Sequence, residues 1–208
     1  MHMKSCIIFG NAEISDYSFI QPISAEDFVI SADGGWRHLK RLGIKPHLFI
    51  GDMDSLQETI PEDIKKECYQ PEKDDTDTFI AVKKGLSLGC KRFVFYGCLG
   101  GSLGHTLANM QILIYLAKRN VPAVLQDENS EVYAVSNATL CFDASRKGKL
   151  SVISFSEKST GVTLEGLKYP LSDAVISNDY ALGVSNEFLQ KNSSITVKNG
   201  DLIVIIEK

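Results

Sequence analysis

Residues 92–118 read RFVFYGCLGGSLGHTLANMQILIYLAK and contain both kinds of secondary structure that build the N-terminal part of the chain. The apolar run Arg92–Tyr96 predicts a β-strand, and residues 105–118 predict a helix that is apolar nearly all round and must be covered on more than one side. A glycine-rich turn, residues 97–104, joins the two. Because a strand followed by a helix is the repeating unit of parallel α/β sheets, this stretch predicts an α/β fold.

The same alternation of strand and helix extends over residues 1–127. Apolar runs predict further strands at residues 4–9, 27–31, 47–52 and 121–126. Helices are predicted at residues 36–42, with Gly43 as the C-terminal cap, and at residues 77–88. We therefore predict an N-terminal layered α/β/α domain with a partly parallel sheet.

The pattern changes after residue 127. Residues 128–208 contain short apolar runs that are separated by turn residues, without a convincing helix between them. Such runs are typical of a β-sandwich or a small barrel. We therefore predict a C-terminal all-β sandwich domain, residues 128–208, after an α/β domain of residues 1–127. The turn at residues 198–201 predicts that the last two runs form a β-hairpin.

The composition limits the kinds of partner. The 208 residues include 22 Lys and Arg against 26 Asp and Glu, a net charge of −4 without a basic block, which argues against nucleic acid as a partner. The apolar runs are far shorter than the roughly 20 residues of a transmembrane helix, so we expect no membrane span. The five cysteines include no CxxC pair, and the N-terminus has no signal-peptide pattern. Both features predict a cytoplasmic setting.

Two aspartates follow one of the predicted strands. In Asp52-Met53-Asp54 the carboxylates are two residues apart, so both point to one side of an extended chain. Neighbouring carboxylates repel each other unless a cation neutralises them, and an oxygen-only pair suits Mg²⁺ bridged to substrate phosphates. The alternative is a pair of solvated turn residues, with Asp54 capping a helix. The motif alone leaves both interpretations open.

A second acidic cluster, residues 73–77 (KDDTD), begins a predicted helix. The helix dipole and an N-cap explain one or two of its carboxylates without any ligand. Asp33 follows another predicted strand. Because ligands bind beyond the ends of the strands in an α/β sheet, we expect Asp33, Asp74 and Asp77 to gather at one edge with the Asp52 pair.

The glycine-rich turn before His105 is a candidate anion site. Glycines let backbone N–H groups approach an anion, and the start of the following helix favours negative charge. The turn matches neither a P-loop nor the dinucleotide-binding fingerprint. His105 and Asn109 share one face of the predicted helix, where the histidine can donate to a phosphate. The alternative is a flexible turn with a structural histidine.

Residues 182–188, LGVSNEF, interrupt the strand pattern of the C-terminal part. One interpretation is an ordinary turn. The other is a binding segment, in which small polar residues and an aromatic face contact a flat heterocycle. The sequence does not decide between them.

Taken in order, these motifs resemble the bacterial thiamine pyrophosphokinase family over nearly the whole chain. The matching blocks are residues 31–35 (SADGG), 51–55 (GDMDS), 73–77 (KDDTD), the glycine turn with residues 105–109 (HTLAN), and residues 183–188 (GVSNEF). The resemblance implies an α/β catalytic domain joined to a β-sandwich, and transfer of the terminal diphosphate of ATP to the hydroxyl of thiamine. It also implies a homodimer with thiamine bound in clefts between its subunits.

The resemblance implies roles for individual residues, with residues 1–127 as the ATP- and Mg²⁺-binding catalytic domain and residues 128–208 as the thiamine-binding domain. Asp52, Asp54 and Asp77 are implied to hold Mg²⁺ and, with His105, to form the catalytic set. Residues implied near ATP are Asp33, Gly34, Lys73, Asp74, Gly100, Gly101 and Asn109. Residues implied near thiamine are Ser185, Asn186 and Phe188.

The glycine turn departs from the family pattern Gly-Gly-Arg-x-Asp-His. Ser102 stands at the position of the arginine, and Gly104 stands at that of the aspartate. A phosphate-facing cation and an orienting carboxylate are therefore missing. Two other functions stay open on the sequence: a metal-dependent nucleotide-sugar transferase that uses the Asp52 pair, and a non-catalytic protein that binds thiamine or a nucleotide.

Overall fold

The computed structural model describes residues 5–52, 59–68 and 74–208. The contacts divide the chain into two compact units, Met1–Ile112 with Val121–Glu128, and Leu113–Asn120 with Asn129–Lys208. The boundary crosses the helix that ends at Ala117. Within the described ranges, no helix is both long enough and apolar enough to cross a membrane.

The first unit is built on a parallel sheet. Its strands are β1 Ser5–Phe9, β2 Phe28–Ala32, β3 Leu48–Gly51, β4 Lys66–Cys68, β5 Arg92–Tyr96 and β6 Ala123–Gln126. They lie in the order β6-β5-β1-β2-β3-β4, and the pairings among these described strands are all parallel. Helices α1 Trp36–Leu42, α2 Asp77–Ser87 and α3 Leu103–Ala117 connect β2 to β3, β4 to β5 and β5 to β6. The predicted α/β class is confirmed.

The central strands contain the core of this unit. Every residue of β1 is buried, as is all of β5 after Arg92. A strand that is covered on both faces has a continuous apolar sequence instead of an alternating one, which explains the uninterrupted runs. Helix α2 packs against β1, β2 and β3. The largest fully buried side chains include Phe9, Phe49, Phe93, Phe95 and Tyr96.

Local signals set the limits of the helices. Helix α1 ends at Gly43, whose φ of 67° is left-handed, as predicted. Helix α2 begins after Thr76, whose hydroxyl accepts a hydrogen bond from the Phe79 N–H at 3.2 Å. Helix α3 begins at Leu103, ahead of the predicted start at His105, so Gly104 lies in its first turn.

Gly85 allows α2 to approach the sheet closely. A Cβ atom at this position would lie 2.7 Å from Phe93 Cε1 and 2.8 Å from Cys6 Sγ. Contacts this short require a shift of the helix or of the strands that it covers. At Gly104 of α3, the nearest neighbour of an added Cβ atom would be Ser102 Oγ at 3.8 Å, which is an ordinary contact.

We expect Gly85→Ala and Gly104→Ala to change stability in opposite directions. Alanine favours a helix over glycine by about 1 kcal/mol, but only where the added methyl group has room. Gly104→Ala should raise the free energy of unfolding by about 0.5–1 kcal/mol, and overpacking should make Gly85→Ala lower it by about 1–3 kcal/mol. Urea unfolding measures both changes. A Gly85→Ala protein as stable as the wild type would contradict the close packing.

The second unit contains antiparallel strands in two layers. They are β7 Ser130–Ser136, β8 Thr139–Phe142, β9 Lys149–Ser154, β10 Lys158–Glu165, β11 Leu171–Ser177, β12 Gly183–Glu187, β13 Ser193–Thr196 and β14 Asp201–Glu207. One layer has the order β12-β9-β14-β7 and the other has the order β11-β10-β13-β8. Both layers bury alternate residues in one core, which includes Val152, Leu202, Val204, Val162, Leu164 and Ile195. The predicted all-β sandwich is confirmed.

The predicted hairpin between the last two strands is wrong. Strand β13 pairs with β10 and β8, whereas β14 pairs with β7 and β9 in the other layer. The turn between β13 and β14 bonds to Thr160 of β10: Thr160 N–H donates to the Asn199 carbonyl at 2.8 Å, and Lys198 N–H donates to the Thr160 carbonyl at 3.1 Å. The turn residues therefore lead the chain from one layer to the other, so that both strands bury apolar residues in the common core.

Two strands have no apolar alternation that would predict them. Strand β4 has the sequence KEC, and β12 has the sequence GVSNE. Both are edge strands, and each forms by backbone pairing with one neighbouring strand. The segment that interrupts the strand pattern in the sequence is therefore itself mostly a strand.

Candidate functional site

The ends of three parallel strands meet where the strand order changes direction. From β1 the chain proceeds to β2, β3 and β4 on one side, and β5 and β6 then lie on the other side of β1. The register pairs Phe9 with Ser31 of β2 and with Tyr96 of β5, so these strands end level with one another. In open α/β sheets, ligands bind at such a point, beyond the carboxyl ends of the strands.

A cavity of about 490 Å³ lies at this position. The segments that follow three strands form its walls: residues 10–12 after β1, Ala32 and Asp33 at the end of β2, and Gly97 and Cys98 after β5. Residues at the starts of α2 and α3 complete the lining, namely residues 74–78, residues 100–102, His105 and Asn109. All of these residues belong to the first unit.

Most of the described residues that were predicted for the catalytic set or near ATP line this one cavity. They are Asp33, Asp74, Asp77, Gly100, Gly101, His105 and Asn109. Gly34 is buried against its wall, where an added Cβ atom would lie 1.9 Å from Asn11 Oδ1. The structure thus brings together residues that are up to 76 positions apart, Asp33 and Asn109.

Asp52 is not among the described lining residues. It is half-buried and directly follows β3. The preceding residue, Gly51, approaches Asp33 closely, since a Cβ atom on Gly51 would lie 3.1 Å from Asp33 Cα. Asp54 and Lys73, the remaining predicted residues of this site, lie outside the described residues.

The described part of the cavity lining is acidic. It includes Asp33, Asp74, Asp75 and Asp77, with His105, and it contains no lysine or arginine. One of these carboxylates, on Asp75, pairs with Lys83 Nζ at 2.6 Å. Because like charges at close range repel, a phosphate group requires a cation in order to bind beside the other carboxylates.

The donor set at this edge of the sheet fits magnesium. Mg²⁺ binds one or two carboxylates and completes its shell with waters and substrate phosphates. Among the residues that the structure describes, no three His, Cys, Asp or Glu side chains are grouped closely enough to hold a metal ion. The predicted ligand set of Asp52, Asp54 and Asp77 therefore relies on a residue outside the described ranges.

Asp33 is held at the cavity by a special backbone conformation. Its φ of 48° is left-handed, a region that aspartate and asparagine enter more readily than most residues. The glycines after it fit closely against β1, because a Cβ atom on Gly35 would lie 1.9 Å from the Phe9 carbonyl oxygen. Asn11 Nδ2 donates to Asp33 Oδ2 at 3.4 Å. The fit at this turn therefore requires the two glycines, and it accommodates the aspartate before them.

Hydrogen bonds from α3 shape the glycine turn. Asn109 is 7% exposed, and its Nδ2 donates to the Cys98 carbonyl oxygen at 2.8 Å. Ser102 Oγ accepts a hydrogen bond from the His105 N–H at 3.4 Å. The helix that follows the turn thus holds it in shape. The start of the helix lies at the cavity, where the first backbone N–H groups favour an anion.

Asn11 is a candidate functional residue that sequence reasoning missed, and Arg37 orients it. Arg37 donates to Asn11 Oδ1 at 2.7 Å and to the Asn11 carbonyl oxygen at 3.2 Å. Because Asn11 also contacts Asp33, the guanidinium orients a side chain at the cavity. A positional signal for Asn11 exists in the sequence: it closely follows β1, as Asp33 follows β2 and Asp52 follows β3.

The residues predicted near thiamine lie in the second unit, and the structure shows mostly internal contacts for them. Asn186 is 3% exposed, accepts from the Tyr169 N–H at 2.9 Å and donates to the Tyr169 carbonyl at 2.7 Å. Phe188 packs in the core, 5.4 Å from Phe142 between ring centroids. Ser185 is exposed. Contact of these three residues with a substrate stays a prediction.

An acidic cavity at a change of strand order is typical of α/β enzymes that bind phosphorylated ligands with a metal ion. Family models specify the class. Residues 19–125 match the thiamin pyrophosphokinase catalytic domain, and residues 138–204 match the thiamin pyrophosphokinase vitamin B1 binding domain. The chain belongs to the thiamine pyrophosphokinase family, which confirms the resemblance found in the sequence.

Individual relatives agree with the family models. The chain is 31% identical to the thiamine pyrophosphokinase of Bacillus subtilis (strain 168) over 182 residues, 85% of each chain. It is 28% identical to thiamin pyrophosphokinase 1 of Caenorhabditis elegans over 166 residues, 72% of this chain and 68% of that protein. The crystal structure of the Bacillus subtilis enzyme superimposes with a TM-score of 0.87 at 26% identity, covering 99% of both chains. That of Geobacillus thermodenitrificans gives 0.84 at 27% identity, covering 98% of this chain and 97% of that one.

The reactivity of the cysteines tests the burial of Cys98, which lines the cavity. Burial raises the pKa of the Cys98 thiol to about 12, whereas Cys68 and Cys141 are exposed. Because only the thiolate reacts, iodoacetamide at about pH 8 should alkylate Cys68 and Cys141 in the folded protein and leave Cys98 unmodified. Peptide mass spectrometry identifies the modified residues, and denatured protein is the control in which all should react. Alkylation of native Cys98 as fast as Cys141 would contradict its burial.

Proposed function

We propose that this chain transfers the terminal diphosphate of ATP to the hydroxyl of thiamine, giving thiamine diphosphate and AMP. The observation that carries the proposal is the single cavity in which Asp33, Asp74 and Asp77 meet the glycine turn and the start of α3. This arrangement lies in the part of the chain that matches the catalytic-domain model of the family. An ATP polyphosphate needs both a cation and backbone donors, and the cavity is suited to supply them.

We propose Asp52, Asp54 and Asp77 as the residues that hold Mg²⁺. The acidic lining without lysine or arginine in its described part supports this assignment, since it favours a cation. When bound, the ion supplies the positive charge that offsets the negative charge of the phosphate oxygens. Asp33, which is close to the backbone before Asp52, and Asp74 are proposed to lie near the same phosphates.

The glycine turn and α3 are proposed to bind the phosphates directly. Gly100, Gly101 and His105 line the cavity, and Asn109 fixes the turn through its bond to Cys98. We also assign Gly34 and Lys73 to nucleotide binding, Gly34 because it packs against the cavity wall and Lys73 by family resemblance. These groups orient the polyphosphate for attack on the β-phosphorus, and orientation of this kind provides much of the rate enhancement in phosphoryl transfer.

The chemical step forms one bond and breaks another. The thiamine hydroxyl oxygen bonds to the β-phosphorus of ATP, and the bond from that phosphorus to the oxygen bridging to the α-phosphate breaks, so AMP leaves. The hydroxyl proton needs an acceptor, and we assign this role to an aspartate of the acidic cluster.

Residues 128–208 are proposed as the thiamine-binding domain, in which Ser185, Asn186 and Phe188 form the binding segment. The match to the vitamin B1 binding domain supports this role. Ser185 is exposed, whereas Asn186 and Phe188 are buried, so its side chain is the best placed of the three for direct contact. We further propose a homodimer in which the two subunits share each thiamine site. The cytoplasm is the compartment we infer, since the five cysteines are present as thiols.

Incubation with ATP, Mg²⁺ and thiamine, followed by chromatography, tests the function itself. Thiamine diphosphate and AMP should appear together, and AMP should not form without thiamine. Binding of ATP and thiamine without turnover would instead indicate a non-catalytic binding protein.

Removing one carboxylate of the ligand set should nearly abolish turnover. Asp54→Asn and Asp77→Asn are each expected to lower kcat by about 100-fold or more, because the metal provides several kcal/mol of charge stabilisation. Asp63→Asn, which removes an exposed carboxylate paired with Lys45, is the matched control and should retain wild-type activity. Full activity of Asp54→Asn at limiting Mg²⁺ would exclude the metal assignment.

The departure in the glycine turn can be reversed. Gly104 lies in the first turn of α3 with open space around it, and Ser102 is exposed, so both positions accept larger side chains. Ser102→Arg with Gly104→Asp should raise kcat/KM for ATP by about tenfold, because hydrogen bonds to charged groups contribute roughly 1.5–3 kcal/mol each. Both single variants are measured beside the double variant. A folded double variant that is no better than wild type would mean that other residues already bind these phosphates.

A further inference from the structure

His38 lies behind the cavity wall that residues 10–12 form, and it is 5% exposed. Its Nε2 lies 2.9 Å from the Ala12 carbonyl oxygen, and its Nδ1 lies 2.7 Å from the Tyr17 hydroxyl. A carbonyl oxygen can only accept, so Nε2 carries the proton, and Nδ1 of the neutral ring accepts from the hydroxyl of Tyr17. His38 does not line the cavity itself. It therefore acts on the cavity through Ala12.

The Ala12 carbonyl lies in a closely packed part of the wall. Ala12 N–H donates to the Gly97 carbonyl and Gly10 N–H donates to the Tyr96 carbonyl, both at 2.8 Å. Gly97 has a left-handed φ of 63°, and a Cβ atom there would lie 2.7 Å from the Gly10 oxygen, 3.1 Å from the Ala12 oxygen and 3.2 Å from His38 Nε2. Because these atoms surround one point, displacing the Ala12 carbonyl would disturb the walls after both β1 and β5.

The surroundings of His38 favour its neutral state, in which Nδ1 accepts from Tyr17. Burial lowers its pKa, and the nearby Arg37 and Arg41 act in the same direction, against the smaller opposing effects of the bond to Ala12 and the charge of Glu13. Arg41 also lies over the ring of Tyr17, 5.4 Å from its centroid, so the tyrosine is held from a second side.

We propose that His38 is a positioning residue that fixes the residue 10–12 wall through its bond to Ala12, and thereby sets the affinity of the cavity for the nucleotide. Tyr17 supports it by donating its hydroxyl hydrogen to Nδ1 of that tautomer. The nucleotide part of this inference rests on the proposed function, whereas the conformation of the wall can be measured without it.

Kinetics of two variants test the proposal. His38→Leu should raise KM for ATP by about five- to tenfold, as expected for one lost hydrogen bond, and leave kcat within about twofold, because the wall binds substrate and transition state alike. His38→Gln should recover most of the loss, since its amide nitrogen can donate to the same carbonyl oxygen. A folded His38→Leu protein with unchanged KM, or a His38→Gln protein as impaired as His38→Leu, would overturn the proposal.

His47 provides the matched control. It also bonds to the backbone through a ring nitrogen, since the Val29 N–H donates to its Nδ1 at 3.0 Å, and its ring stacks on Phe28 with centroids 4.9 Å apart. It is exposed and does not line the cavity. His47→Leu should therefore leave KM for ATP unchanged. A rise equal to that of His38→Leu would show a general structural effect and overturn the positioning role.

Nuclear magnetic resonance separates this inference from the proposed function. Tyr17→Phe should shift the Nδ1 resonance of His38, and His38→Gln should leave the amide signals of Gly10, Ala12 and Gly97 close to those of wild type. His38→Leu, or Tyr17→Phe if the leucine variant does not fold, should shift those amide signals. A wild-type protein that makes no thiamine diphosphate would refute the proposed function, and unshifted amides in these variants would refute the role of His38.

Discussion

Three parallel strands that end at the same level form the constraint on which the site depends. Phe9 at the end of β1 pairs with Ser31 on one side and with Tyr96 on the other, so the segments after all three strands open at one place. The glycine turn, the Asp-Gly-Gly turn and residues 10–12 meet there because backbone hydrogen bonding fixes the register of the strands. A shift of one residue between β1 and β5 would separate Gly97 from Ala12 and reverse the faces of the buried side chains.

The charges at that place explain how a protein with a net charge of −4 can bind a polyphosphate. The described part of the cavity contains aspartates and no lysine or arginine, so within these residues nothing cationic offsets the charge of a phosphate. A divalent ion can offset that charge, and the helix start and glycine turn add backbone donors on another side. Carboxylates at close range repel a bare anion, which is why we propose that the nucleotide binds together with a metal ion.

Local sequence signals predicted the helices and the strands that have clear apolar runs. The Gly43 cap and the apolar runs of β1 and β5 act within a few residues, and the structure shows each as expected. Local signals were insufficient wherever the fold depends on which strands pair with each other. The turn at residues 198–201 has the composition of a hairpin turn, yet β13 and β14 bury apolar residues from opposite layers and pair with other strands. Strands β4 and β12 exist only because a neighbouring strand offers unpaired backbone groups.

By itself, the sequence determined the fold class, the order of the two parts and the acidic and glycine-rich segments of the candidate site, because patterning, caps and short motifs are local properties. The tertiary structure alone decided which of these segments share one cavity. Asp33 and Asn109 meet because strand register brings the ends of β2 and β5 together. The same register made Asn11 part of the wall and placed Arg37 and His38 in contact with that wall, although none of the three belongs to a motif. Their placement depends on contacts between distant segments, and such contacts leave no periodic trace in the chain.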